Sequence, residues 1–300
     1  MFGLNVTFKD LAVLFSNKIP ISTMGIFLQK QRESSPGPYE VESGQSVHSV
    51  HEIISRRGHK ALFLKKSFGL KREISSVVLL QLAKDYFKHA QSLDYLGLGP
   101  LVKNYRLRVN LDDPRPTMSV EQLFFPFGTA RQWLENPNTL RVLSAELFCS
   151  YLVPLIRNAN PEGSADCPAF VDLSFKNLAV VPVDSHTLKL HYFDFFPPRI
   201  RMGTGAIDDR GYQNFHIRTP MEIEYRFFNL IGIVHNVLNK SLVDIGDSRT
   251  LASIFIREAK FWMDPILRVR FGIDVGSLLD LDFVTAANRF LSKDRGEQNG

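Results

Sequence analysis

Between Tyr39 and Lys66 apolar and polar positions alternate in three short runs, Tyr39 to Ser43, Val47 to Ser55 and Lys60 to Lys66, parted by Gly44 and by Arg57-Gly58. Strand side chains project to opposite faces at period two, so these runs predict an antiparallel meander. From Glu73 the apolar pattern changes to one of helical character through Val77, Leu80 and Leu82. That pattern predicts an amphipathic helix running to about Ala90, stopped by Gly97-Leu98-Gly99-Pro100. Leu101 to Leu111 and Ser119 to Phe125 return to strand character across the turn-rich Asp112 to Pro116. Ahead of all these, Thr7 to Ser16 is helix-like and Ser34-Ser35-Pro36-Gly37-Pro38 is a loop by its turn chemistry.

The second half changes period. Helical spacing runs from Thr139 to about Asn158 behind the start signal Pro137-Asn138, and a strand-rich island lies between Phe170 and Arg201. Thr219-Pro220 then supplies a cap and a first-turn proline for a helix from Met221 to about Asn239. Further helices are predicted at Ser248 to Trp262 and Gly276 to Leu291. The order predicts an α+β protein: an N-terminal antiparallel sheet with one helix, then a mainly helical C-terminal part. The divisions fall at 1–37, a helical extension and linker, at 38–126 and at 127–300.

Composition narrows the class. With 44% hydrophobic and 22% charged residues the 300-residue chain is globular rather than disordered, and its 24 phenylalanines fall largely in periodic segments, as core residues do. Two cysteines, Cys149 and Cys167, cannot build a disulfide framework or a four-thiolate zinc site. No uninterrupted apolar run approaches the roughly 18 residues of a membrane span, so the expectation is a cytoplasmic protein without membrane contact. The net charge of +5 is localised, because Arg56, Arg57, Lys60, Lys65, Lys66, Lys71 and Arg72 follow one another with no acidic residue between. An anionic partner is expected there. A nucleoside triphosphate is sufficient, and nucleic acid is disfavoured.

The chemistry concentrates in Phe170-Val171-Asp172-Leu173-Ser174-Phe175-Lys176-Asn177-Leu178-Ala179-Val180-Val181 and, after a turn, Leu188-Lys189-Leu190-His191-Tyr192-Phe193-Asp194. An Asp, an Asn five residues on, an apolar strand, a turn, a second strand and a terminal Asp is the order kinases use. A tight loop can hold Asp172 against an acceptor hydroxyl. Asn177 and Asp194 are then candidate oxygen ligands for magnesium. Upstream, Ala61-Leu62-Phe63-Leu64-Lys65 ends in a lysine placed to reach the α and β phosphates, with Lys66 its competitor. Glu73 opens the next helix, where a carboxylate can pair with that lysine or simply favour a helix N-terminus. The turn Ser43-Gly44-Gln45-Ser46 stands where a phosphate-covering loop belongs, and supplies Gly44 and Ser46. Asp172 and Asn177 also suit an ordinary turn. His186 and His191 lack metal-binding spacing, and Ser174 has no Gly-x-Ser-x-Gly elbow.

Over roughly residues 38 to 290 the chain resembles the aminoglycoside phosphotransferase and choline kinase branch of the protein-kinase-like superfamily. The likeness rests on Leu62 to Lys65, on the Leu-Gly-x-Gly-Pro turn Leu96 to Pro100, on Val120 to Phe124 and on the catalytic segment. It implies a two-lobed kinase-like fold and a magnesium-dependent transfer of phosphate from ATP, or alternatively GTP, to a hydroxyl of a small molecule. It also places Glu121 in the strand that contacts the base, gives Lys65 the phosphates and Glu73 its orientation. Two departures stand out. Phe170 occupies the position of a family histidine, and Asp194 is followed by Phe195-Phe196-Pro197-Pro198 instead of a glycine. They keep a nucleotide-binding pseudokinase or scaffold as a rival expectation; a kinase-fold nucleotidyltransferase is a second rival.

Overall fold

The computed structural model describes residues 49–55, 62–68, 75–98, 106–111, 116–123, 125, 127–159, 165–183, 188–193, 200–201, 207–208 and 220–296. The predicted helix at Thr7 to Ser16, the loop at Ser34 to Pro38 and the strand at Tyr39 to Ser43 lie outside them. Small antiparallel sheets and a larger helical content make the protein α+β. The chain divides into two units, one of Met1–Lys84, Val102–Phe127 and Val181–Lys189, the other of Asp85–Leu101, Gly128–Val180 and Leu190–Gly300.

The first unit holds a four-stranded sheet in the order β1-β2-β4-β3, from β1 (Ser49–Ser55), β2 (Leu62–Phe68), β3 (Arg106–Asn110) and β4 (Thr117–Leu123). Every neighbouring pair is antiparallel. Period two decides which residues are enclosed. Met118, Val120 and Gln122 share one face of β4 and are buried, and the register places Lys66 opposite Val120 on that face. Lys65 falls on the other face, opposite Glu121. Lys66 is buried and Lys65 half-buried, because both faces of the sheet are covered at this point.

Helix α1 (Ser76–Tyr95) is longer than its apolar pattern predicted. It ends where the sequence placed its stop: Gly97 has φ +80°, and the Leu98 amide reaches back to the Leu93 carbonyl at 2.8 Å, closing a left-handed C-cap that favours glycine.

In the second unit one helical stretch from Pro137 to Ala159 comprises α2 (Pro137–Leu147), a π-helical turn (Phe148–Leu152) and α3 (Val153–Ala159). Asn136 caps it through its side-chain oxygen, which accepts from the Asn138 and Thr139 amides, with Pro137 in the first turn. By length and composition this stretch could cross a membrane, yet half of its apolar window is buried inside the protein, as in a core helix. Strands β5 (Leu178–Pro182) and β6 (Leu188–Tyr192) form a two-stranded sheet, and β7 (Ile200–Arg201) pairs with β8 (Ile207–Asp208).

The single helix predicted from Met221 to Asn239 is two, α4 (Pro220–Phe228) and α5 (Leu230–Ile245), parted by Asn229 in extended conformation. Then come α6 (Arg249–Phe271), which continues past the predicted end at Trp262 through Pro265, α7 (Val275–Leu279) and α8 (Phe283–Gly296). The last two replace one predicted helix because Asp282 caps a new start, accepting from the Val284 and Thr285 amides. A chain of rings threads the core: Phe148 packs on Phe255 of α6 at 5.5 Å between centroids, and Phe175 packs on Phe255 at 6.0 Å. All three are fully buried, each worth roughly 1.5–3 kcal/mol of burial.

Candidate functional site

The segment leading to Asp172 is fastened to the joint between α4 and α5. The Leu230 amide donates to the Ala165 carbonyl at 2.6 Å, the Cys167 amide to Phe228 at 2.7 Å and the Val171 amide to Phe227 at 3.1 Å, with an antiparallel bridge between Asp166 and Asn229. Phe227 and Phe228 thus spend their carbonyls on this segment instead of on a continuing helix, so α4 ends here although the apolar period runs on. Asn229 restarts the helix, its side-chain oxygen accepting from the Gly232 amide at 3.1 Å. Phe170 adds a ring contact, 4.6 Å from Phe227 and 6.0 Å from Phe228 between centroids. Phe170 thereby completes an aromatic cluster at the joint.

Beyond Val171 the chain turns through a single 3-10 turn, Phe175–Asn177. The Asn177 side-chain nitrogen donates to the Asp172 carbonyl at 3.0 Å and the Asn177 amide to the Ser174 carbonyl at 2.8 Å. The five-residue spacing therefore closes a small loop on itself. Because the amide nitrogen of Asn177 is spent on that bond, its oxygen is left as the acceptor, the atom type a hard cation takes. The Phe193 amide donates to the Asn177 carbonyl at 3.2 Å, so the residue that precedes Asp194 in the sequence is tied to the loop.

The two oxygens of the Asp172 carboxylate differ. Oδ2 accepts from Lys240 Nζ of α5 at 2.6 Å, whereas Oδ1 is buried and has no hydrogen-bond partner among the described residues. One turn further along α5, Asp244 pairs with Arg131 at 3.2 Å; Arg131 lies in the 3-10 turn Ala130–Trp133. Burial pushes the Asp244 carboxyl above its ordinary range, Arg131, Lys176 and Lys240 pull it down, and the Asp172 charge pushes it up again. Two carboxylates and three cations therefore share one neighbourhood. A buried acceptor oxygen without a donor costs on the order of 1–3 kcal/mol.

In the first unit the register aligns four positions across the sheet, Glu52 of β1, Lys65 of β2, Glu121 of β4 and Arg106 of β3. Directly opposed residues share a face, so Lys65 has the Glu121 carboxylate position beside it. Glu121 is 4% exposed and also meets Arg108 Nε at 3.8 Å. It lies within the body of β4.

Of the residues singled out in the sequence, Asp172 and Asn177 come together in the second unit, and Lys65 and Glu121 stand opposite each other in the first. Gly44, Ser46, Glu73 and Asp194 lie outside the described residues. Among the described residues no group of three or more His, Cys, Asp or Glu side chains is arranged to hold a metal ion. Lys240, Asp244 and Arg131 were missed by sequence reasoning. Lys240 is 68 residues from Asp172, and a Lys four residues before an Asp on a helix is an ordinary surface pattern, so no spacing rule marks it. No protein-family model matches the chain, and no curated protein matches it.

Proposed function

We propose that this protein is a small-molecule O-phosphotransferase of two-lobed, protein-kinase-like fold, moving the γ-phosphoryl group of a nucleoside triphosphate to a hydroxyl. One observation carries the reading: the Asp172 carboxylate has one oxygen held by a lysine and the other buried without a donor, in a loop closed by the asparagine five residues on. An oriented carboxylate with one unmet acceptor oxygen is a group that a hydroxyl donor would satisfy once that oxygen is uncovered. Oδ1 accepts the hydrogen of the incoming hydroxyl and aligns its oxygen for in-line attack. As the new O–P bond forms, the proton passes toward Asp172 and the bond to the nucleoside diphosphate breaks.

Asn177 and Asp194 would hold magnesium, which when bound supplies counter-charge to the phosphates. Their oxygens fit such a hard cation. Lys65 is assigned to the α and β phosphates, since it is the lysine of the pair on the less enclosed face of β2, and Glu73 or the opposed Glu121 would orient it. The basic stretch around β2 suits a triphosphate. Small molecules fit the reading better than nucleic acid because the positive charge is confined to that stretch.

Asp172→Asn tests the assignment. Turnover of Mg-ATP should fall about 100- to 10,000-fold, the usual contribution of a positioned acid or base, while calorimetric Mg-ATP binding stays within a few-fold. Binding with no turnover in the wild type would instead identify a nucleotide-binding scaffold, and appearance of AMP-modified product a nucleotidyltransferase.

A further inference from the structure

Lys240 belongs to none of the motifs that marked the site, yet it makes the shortest contact to its central residue. Its ammonium lies 2.6 Å from Oδ2 of Asp172 and 5.3 Å from the ring centroid of Phe227. The same Phe227 ring packs at a tilt against Phe170, two residues before Asp172, and the Phe227 backbone carbonyl accepts from the Val171 amide. The lysine and the loop are thereby referenced to one aromatic anchor. The ion pair is withdrawn from water, with side-chain exposures of 22% and 14%. Helix α5, which carries Lys240, is buried along most of its length and pinned at its start by the Asn229 cap.

We propose that Lys240 is a positioning residue of the phosphotransfer site: by holding Oδ2 it fixes the plane of the Asp172 carboxylate that the acceptor hydroxyl must meet. The inference rests on the phosphotransferase reading and deepens it. An aspartate's terminal torsion is broad and roughly two-fold, so an unrestrained carboxylate offers its oxygens interchangeably. A single strong contact from a rigid helix removes that freedom. Asp244, one turn beyond, is paired with Arg131 through one oxygen and also feels the Lys240 charge. Lys176 adds a third cation to the same neighbourhood. The opposite arrangement, a latch in which Lys240 blocks Asp172 until substrate arrives, predicts the opposite sign on turnover.

The experiment compares Mg-ATP turnover in the full-length wild type, Lys240→Met, Lys240→Arg, Lys240→Ala and Asp172→Asn, with thermal melting of each and of the Lys240→Met/Asp172→Asn double variant. Loss of positioning lowers kcat about 10- to 100-fold in Lys240→Met and leaves KM for ATP within about twofold, since Lys240 touches the carboxylate and not the nucleotide. Lys240→Arg should recover most of the loss, and methylammonium should partly rescue Lys240→Ala. Melting supplies the readout independent of activity: Lys240→Met lowers Tm more in the wild-type background than in the Asp172→Asn background, where no buried carboxylate is left unpaired. If Lys240→Met does not fold, Lys240→Gln carries the same comparison. Unchanged or raised kcat in the neutral variants overturns this inference alone. A wild type whose turnover is no greater than that of Asp172→Asn overturns the phosphotransferase reading, and the inference with it.

Discussion

Gly232 is where the helix that carries Lys240 meets the helix that anchors the loop. A Cβ built on it would stand 1.7 Å from the Tyr225 carbonyl oxygen, 2.5 Å from the carbonyl carbon and 2.9 Å from Tyr225 Cδ2. Ordinary contact begins at 3.4 Å, so in Gly232→Ala the α4 and α5 backbones must separate by up to about 1.7 Å at their closest point. The obstacle is backbone, which cannot rotate out of the way. Overpacking typically costs about 1–3 kcal/mol and occasionally more, with the upper end expected against backbone, and replacing a helical glycine recovers about 1 kcal/mol, leaving a net loss of about 2 kcal/mol or more. Against a typical stability of about 5–15 kcal/mol the variant still folds. Lys240 lies eight residues along the same helix, so its grip on Asp172 should loosen and turnover fall with stability. The control is Gly276→Ala, where the nearest atom is the Asp274 side chain at 3.4 Å and the substitution should be neutral or stabilise by up to about 1 kcal/mol. Urea denaturation monitored by circular dichroism gives both values. Equal midpoints for Gly232→Ala and the wild type would refute the close approach of α4 to α5.

Other substitutions and conditions have defined outcomes. Phe170→Ala removes the ring packed on Phe227 and Phe228 and should cost about 2 kcal/mol with a disproportionate loss of turnover, read by denaturation and by kinetics at a temperature where the variant is folded. Asn229→Ala removes the α5 cap and should cost about 1 kcal/mol in the same denaturation assay, whereas Asn229→Asp should retain most of it. Burial pushes the His89 imidazole down to about 3, and burial with the neighbouring Arg226 pushes His235 down to about 4. Both are neutral when folded, while the unfolded chain takes up their protons near 6.5. Stability is therefore held above about pH 6.5 and falls as pH drops, by about 1.4 kcal/mol per pH unit for each histidine, until each folded value is reached. Denaturation at pH 6.5, 5.5 and 5.0 measures the slope, and a flat profile would contradict the burial of both rings as neutral groups.

Much of this structure was legible because local chemistry decided it. The alternation in β2 and β4, the proline starts at Pro137 and Pro220 and the glycine stop at Gly97 are short-range signals, and the elements begin or end at them. Asp172 and Asn177 were legible for the same reason, since their five-residue spacing closes one loop. The failures arose where distant residues overrode local period. Nothing in Met221 to Asn239 announces that the carbonyls of Phe227 and Phe228 will be taken by the Val171 and Cys167 amides, so one apolar stripe read as one helix. Nothing local separates Lys65 from its competitor Lys66, and Lys65 is preferred only by resemblance; the register sets them on opposite faces of a sheet covered on both. Lys240 stayed hidden because its partner is contributed by a loop far away in the chain, and Arg131 with Asp244 likewise.

The central claim is that Asp172 presents an oxygen to a hydroxyl while phosphate is transferred. Its most direct test is incubation of the wild type and Asp172→Asn with γ-labelled Mg-ATP and a metabolite extract, read by mass spectrometry. The account predicts that the wild type adds the labelled phosphoryl group to a hydroxyl-bearing small molecule and that Asp172→Asn does not. Equal labelling by both proteins, or no labelled product from the wild type, would contradict it.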